Sequence, residues 1–328
     1  MTADSPHFSA PDLRVRLRRS GDALAATSIG TVPILWNSVE FEELRLVMDA
    51  TTLLDEIARL GYDGTQLGPN FPDGPGLRTA LAARRLRLAE VYAALPATTE
   101  GPADDAPAIG RARLRLLKEG GGEVLCVALD GSPDRDRWAG RAAQAGTPRF
   151  TDGAWRRLAS VLHALADETI EAGHRLVFHP HAGTFIETPE EVARLVTTTD
   201  PTKVGICLDV GHYLVGGGDP VEALQRLGER VTHVHLKDVD PIVLESLSSG
   251  VLADFGSAVR ARLFTELGAG TLDLVGCLRV LAERGYNGWL MVEQDSSWSP
   301  PSEAAAIGRR VLAQALAVVG VEQPRSRA

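Results

Sequence analysis

After Thr27, short apolar runs of strand character alternate with longer stretches whose apolar residues recur at helical spacing, the mark of a parallel α/β sheet. Ile29–Leu35, Gly64–Leu67, Leu86–Tyr92, Val124–Leu129, Leu176–His179, Val204–Asp209, Val231–Leu236 and Trp289–Glu293 read as strands. Helices are predicted to begin near Thr51, Leu77, Ala106, Asp152, Pro189, Pro220 and Leu272, and a last one runs from Pro301 to Val319. Thr188-Pro189-Glu190-Glu191 supplies a capping hydroxyl, a first-turn proline and two acids suited to the positive end of a helix dipole; Asp219-Pro220 repeats the device. Leu60-Gly61-Tyr62-Asp63-Gly64 and Arg284-Gly285-Tyr286-Asn287-Gly288 are near-copies, each marking a return from helix to strand. Eight βα units predict an α/β fold of the (β/α)8 TIM-barrel class in a single domain, and no G-x-G-x-x-G follows the first strand to indicate a dinucleotide site. The expected division is a loose N-terminal extension over 1–27, the barrel over 28–320 and a tail over 321–328.

Such barrels place their chemistry where the strands end. The last four strands end on His179-Pro180-His181, Asp209-Val210-Gly211-His212, His233-Val234-His235-Leu236-Lys237-Asp238 and Glu293-Gln294-Asp295. One such residue alone is usually structural, but imidazoles and carboxylates at four consecutive strand ends are what a divalent Mn²⁺, Co²⁺ or Zn²⁺ ion requires. Side chains two apart share a strand face, so His233 and His235 point the same way, with His235 nearer the rim and His233 deeper in the barrel. The expected ligands are His179, Asp209, His235 and Glu293, with His181 left to the substrate and His212 facing the bound ligand. Trp36 is expected to wall the pocket and Asn37 to bind a hydroxyl. Between Val239 and Thr271 lies a long insertion in which Phe264–Gly270, through Glu266, Gly268 and Gly270, brings backbone and a carboxylate close to a ligand.

Thirty-four Lys+Arg against 43 Asp+Glu give a net charge of -9, which argues against a nucleic-acid partner and for a small molecule. The N-terminal Arg14, Arg16, Arg18 and Arg19 read as a solvated tail or a basic arm on a partner. Cys126, Cys207 and Cys277, widely spaced in apolar stretches, read as reduced core residues of a cytoplasmic protein. No run reaches about 18 apolar residues and no signal peptide is evident, so no membrane association is expected. Lys237 is conspicuous as one of three lysines, with Lys118 and Lys203, in an arginine-rich chain. Its ammonium either serves the site, as a charge stabiliser or as a proton carrier with a pKa lowered by burial, or forms a surface ion pair with Asp238 or Asp240.

These strand-end motifs, with Phe264–Gly270, resemble those of the xylose-isomerase-like TIM barrels of the sugar phosphate isomerase/epimerase superfamily, and within it the keto-cyclitol dehydratases. The resemblance extends from about Thr31 to Val319. Asp209, His235 and Glu293 match three of the family's four metal positions, whereas His179 stands where a sugar epimerase carries glutamate, as in dehydratase-type members. The resemblance implies a metal-dependent carbon–oxygen lyase, a hydro-lyase that removes water from a keto-cyclitol such as 2-keto-myo-inositol through a metal-stabilised enediolate. Glu293, His212 and Lys237 would carry the protons, base and acid unassigned; Mn²⁺ or Co²⁺, with Zn²⁺ third, would be the cofactor. It further implies a role in inositol catabolism and a homo-oligomer. The alternative is a metal-dependent sugar or cyclitol isomerase or epimerase. A barrel endonuclease fits poorly with the acidic charge, and a noncatalytic sugar-binding barrel is the remaining class.

Overall fold

The computed structural model describes residues 24–38, 48–296 and 298–322; most of the expected N-terminal extension and of the expected tail lies outside the described residues. Eight parallel strands close into a barrel in chain order: β1 (Ser28–Thr31), β2 (Gly64–Gln66), β3 (Arg87–Leu95), β4 (Val124–Leu129), β5 (Arg175–Phe178), β6 (Val204–Asp209), β7 (Val231–Leu236) and β8 (Trp289–Val292). β1 closes the ring on β8, with Ser28 opposite Trp289 and Thr31 opposite Val292. The eight expected strands are all present. β1 stops short of the expected Leu35 because Pro33, which has no N–H to add to a ladder, opens a 3-10 turn over Pro33–Leu35.

Each strand is followed by a helix of the outer ring: α1 (Ala50–Arg59), α2 (Gly74–Ala83), α3 (Ala106–Gly120), α4 (Asp152–Glu171), α5 (Pro189–Thr198), α6 (Pro220–Leu227), α7 (Leu274–Glu283) and α8 (Pro301–Glu322). The start signals act as their chemistry requires. Thr188 and Glu191 form a reciprocal capping box on α5, and Asp219 accepts the Val221 and Glu222 N–H groups of α6. The two near-copy phrases serve one purpose: Gly61 and Gly285 take φ of 80° and 65°, where a Cβ is strained, and turn the chain back into the barrel. The following tyrosines are buried, with Tyr62 donating to Ala305 O and Tyr286 to Trp289 O. One large apolar core fills the space between strands and helices. At the N-terminal end of the barrel, Trp289 lies against Gly30 and Gly64, beneath the Arg87 guanidinium at 4.3 Å.

The opposite rim is more elaborate than expected. A helix over Val210–Val215 directly follows β6, and the β7–α7 insertion contains helices Pro241–Ser248 and Phe255–Arg260 with a two-residue ribbon joining Asp238–Val239 to Phe264–Thr265. A second apolar cluster, including Ala139, Ala182, Val215, Leu247, Phe255 and Phe264, welds these segments together beside the strand ends. The β4–α4 segment is pinned to the start of α5 by Arg135, fully buried and bidentate on Glu191 at 2.8 and 3.0 Å.

Candidate metal centre

The ladder places four donors at one level of the rim. His179 N–H donates to Val127 O just past β5, Asp209 ends β6 opposite His235 of β7, and Glu293 N–H donates to Leu236 O just past β8. One donor atom from each of His179, Asp209, His235 and Glu293 lies within 4.8 Å of the others. His179 Nε2 is 3.5 Å from Asp209 Oδ2, and His235 Nδ1 is 2.6 Å from Glu293 Oε2 and 3.9 Å from Asp209 Oδ2. The residues fit a divalent ion. Asp209 Oδ2, His235 Nδ1 and Glu293 Oε2 are buried and make no hydrogen bond. Lone pairs facing one another in that way require positive charge between them. Burial opposes charge on His235, yet Cys207, Glu90 and Glu293 around it outweigh that and hold its pKa well above the ordinary histidine value, so an ion that takes Nδ1 must displace a proton from it.

Asp209 divides its carboxylate between two tasks. Oδ1 accepts the N–H groups of Gly211 at 2.8 Å and His212 at 2.9 Å, capping the Val210–Val215 helix, while Oδ2 is left facing the other donors. Gly211 has to be small. A Cβ there would lie 2.8 Å from Lys237 Cβ and 2.9 Å from Lys237 O, so Gly211→Ala is expected to push β7 and β6 apart at the site. A loss of about 1–3 kcal/mol in urea unfolding, with a larger proportional loss of metal affinity, would express that clash, and an unchanged variant would contradict it.

Lys237 is buried, 2.7 Å from Asp295 Oδ1, 3.2 Å from Glu293 Oε1, 3.4 Å from Asp209 Oδ2 and 3.0 Å from His212 Nε2, with its ammonium over the Phe264 ring at 4.6 Å. Two expectations are corrected here. Lys237 makes no surface pair with Asp238 or Asp240, and its pKa is not lowered: burial works against its charge, but Asp209, Asp295 and Glu293 prevail and hold it well above the ordinary lysine value. His212 Nδ1 lies 3.3 Å from the Ala182 nitrogen and Nε2 3.0 Å from the Lys237 ammonium, of which a neutral ring accepts from only one, and the ring lies over His181 with centroids 3.6 Å apart. Burial, reinforced by neighbouring positive groups, pushes His181 down to about 3 and His212 well below its usual range, so both imidazoles are neutral.

Five other residues expected near the ligand are not brought into this cluster. Trp36 is buried in the main core with Nε1 donating to Ser302 Oγ, and both ends of the Asn37 amide bind the Met48 backbone, at 2.8 and 3.0 Å. Glu266 accepts from Ser299 and Thr265 hydroxyls. The N–H groups of Gly268 and Gly270 donate to Asp238 Oδ2 at 2.8 and 3.1 Å, so the close backbone approach that these glycines permit is to Asp238.

Three carboxylates that matter escaped the sequence reading. Glu90, fully buried within β3, stands beneath the centre, 2.9 Å from His233 Nε2 and 3.1 Å from His235 Nε2. Its signal is a lone charge inside the apolar run Leu88-Ala89-Glu90-Val91. Asp295, the partner of Lys237, lies in a quoted motif but without a role. Glu187 accepts the Gly140 and Gly183 N–H groups at 2.8 and 2.7 Å, and burial pushes its pKa up to about 7; nothing in the local pattern distinguishes it from Glu190 and Glu191, which open the next helix.

Comparison with known proteins places this geometry in context. Residues 54–315 match the family model of the xylose isomerase-like TIM barrel. Relatives include the inosose dehydratases of Geobacillus kaustophilus, 36% identical over 87% of this chain and 93% of the relative, and of Lacticaseibacillus casei, 32% identical over 87% and 95%. Among solved structures, an L-ribulose 3-epimerase superposes with a TM-score of 0.68 at 18% identity, covering 92% of this chain and all of that one. A D-allulose 3-epimerase from Methylomonas sp., in complex with D-allulose, superposes with a TM-score of 0.64 at 17% identity, covering 88% and 96%.

Proposed function

Since the chain belongs to the xylose isomerase-like TIM barrel family, we propose that it is a divalent-metal-dependent hydro-lyase that removes water from a keto-cyclitol such as 2-keto-myo-inositol. The observation that carries the reading is the grouping of His179, Asp209, His235 and Glu293 donors beside Lys237 and His212, in a chain that matches inosose dehydratases over nearly their whole length. Mn²⁺ or Co²⁺ suits two imidazoles with two carboxylates, and Zn²⁺ is the third choice. Bound there, the ion would act as a Lewis acid on the ketone and make the adjacent C–H acidic.

The remaining work falls to side chains. Elimination breaks the C–H bond next to the ketone and the C–O bond one carbon further on, forms a C=C bond and releases the hydroxyl with a proton as water. Glu293, Lys237 and His212 form a continuous row, 3.2 Å from Glu293 Oε1 to Lys237 Nζ and 3.0 Å on to His212 Nε2, able to take the first proton and supply the second. Lys237 is already ringed by Asp209, Glu293 and Asp295, which leaves it no spare charge for a phosphate and favours an uncharged polyol. His179 occupies the place where an epimerase would carry a second carboxylate, which favours dehydration over epimerisation. A place in cytoplasmic inositol catabolism follows from this substrate.

The test is a proton NMR time course with 2-keto-myo-inositol in D₂O, with metal-loaded protein and a chelated control. Metal-dependent formation of a dehydrated cyclohexanedione is expected. Deuterium incorporation without dehydration would overturn the lyase reading in favour of an isomerase or epimerase, and no change would remove the substrate assignment.

A further inference from the structure

We propose that Glu90 is a positioning residue of the metal centre: from inside the barrel it holds His235 in the form that carries hydrogen on Nε2, leaving the Nδ1 lone pair for the ion. The inference rests on the metal reading above and is independent of the substrate. A carboxylate only accepts hydrogen bonds, so each imidazole nitrogen that meets Glu90 must present a hydrogen to it. His235 Nε2 lies 3.1 Å from both carboxylate oxygens of Glu90, and His233 Nε2 lies 2.9 Å from Oε2. For a neutral imidazole, hydrogen on Nε2 means a bare Nδ1, and His235 Nδ1 is the atom that faces Glu293 Oε2 and Asp209 Oδ2.

The alternative tautomer is close at hand. With hydrogen on Nδ1, His235 would donate to Glu293 Oε2, only 2.6 Å away, and fill the place of the ion with a proton. Glu90 opposes that outcome from the other side of the ring. Its burial is otherwise hard to explain, because an anion inside an apolar barrel is costly and a hydrophobic side chain of similar volume would pack as well. His233, two residues before His235 on the same face of β7, sets a second imidazole beside the buried carboxylate, 2.9 Å from Oε2.

Glu90→Gln keeps the shape of the side chain and lets an amide N–H replace the accepting oxygen, which favours the wrong tautomer. Equilibrium dialysis with Mn²⁺, and the visible spectrum of the Co²⁺-loaded protein, read the centre without any substrate. The expected result is a 10–100-fold loss of Mn²⁺ affinity and an altered Co²⁺ spectrum in a protein that still unfolds cooperatively. Glu90→Asp, which keeps the anion but shortens its reach, should fall between that variant and the parent; a merely structural role would lower stability without moving affinity or spectrum. Wild-type affinity and spectrum in folded Glu90→Gln, or in Glu90→Asp where the glutamine variant does not fold, would overturn the proposal. Failure of the unsubstituted protein to bind either ion would overturn it together with the metal reading, whereas tight binding without dehydratase activity leaves it standing.

Discussion

Asp209→Asn is expected to lose at least about 10³-fold in kcat/KM, some 4 kcal/mol of transition-state stabilisation, while folding almost as well as the parent. The division of labour within this carboxylate is the reason. Asparagine caps a helix about as well as aspartate, so the Gly211 and His212 N–H groups keep an acceptor and the Val210–Val215 helix keeps its start. What disappears is the anionic Oδ2 between His179 Nε2 and His235 Nδ1, and with it one of only two negative charges that the donor set offers an ion. Asp209→Ala removes the cap as well and should lose about a further 1 kcal/mol of stability. His212→Ala is the contrasting case: its nitrogens touch Ala182 and Lys237, so turnover should fall with the bound metal largely retained. Metal content after dialysis, measured beside steady-state kinetics, separates the two. An asparagine variant that keeps its ion and its activity would remove Asp209 from the centre.

How much of this was legible beforehand follows from the range of each signal. Barrel strands buried on both faces are apolar runs, and a helix cap or a Gly-Tyr return is written within five residues, so β4, β6 and β7 were readable to the residue. The rim motifs were legible because a histidine or aspartate at the end of an apolar run is chemically out of place there. Contacts made across the barrel were not. Glu90 reaches His235 over 145 positions and Lys237 reaches Asp295 over 58, and no periodicity encodes such meetings. Asp238 shows the same limit in reverse: beside a lysine it resembles a surface partner, yet the ribbon with Phe264–Thr265 buries it as the acceptor for the Gly268, Gly270 and Leu272 N–H groups. Of the glycines whose smallness looked like room for a ligand, Gly270 is small because Asp238 is there, a Cβ on it meeting Oδ1, whereas Gly268 stands at φ 88° with its Cβ position against Val311.

Lys237→Met should be the most destabilising single substitution at the rim, and its effect should depend on metal. Methionine has nearly the volume of the lysine stem, so packing against Phe264 survives; the loss is electrostatic. Asp209, Glu293 and Asp295, all within 3.4 Å of the ammonium, would share a buried space without it, and removing one partner of a buried ionic cluster typically costs about 3–5 kcal/mol. A divalent ion on Asp209 and Glu293 replaces part of the missing charge and, by binding only the folded state, adds stability by mass action. The urea midpoint of Lys237→Met should therefore lie far below the parent's after chelation and recover more than the parent's does when Mn²⁺ is added. Turnover should remain low in both conditions, because the proton row from Glu293 to His212 is broken at its middle. Equal midpoints for variant and parent without metal would show that the three carboxylates are neutralised by something other than Lys237, and the charge balance argued for the site would then be wrong.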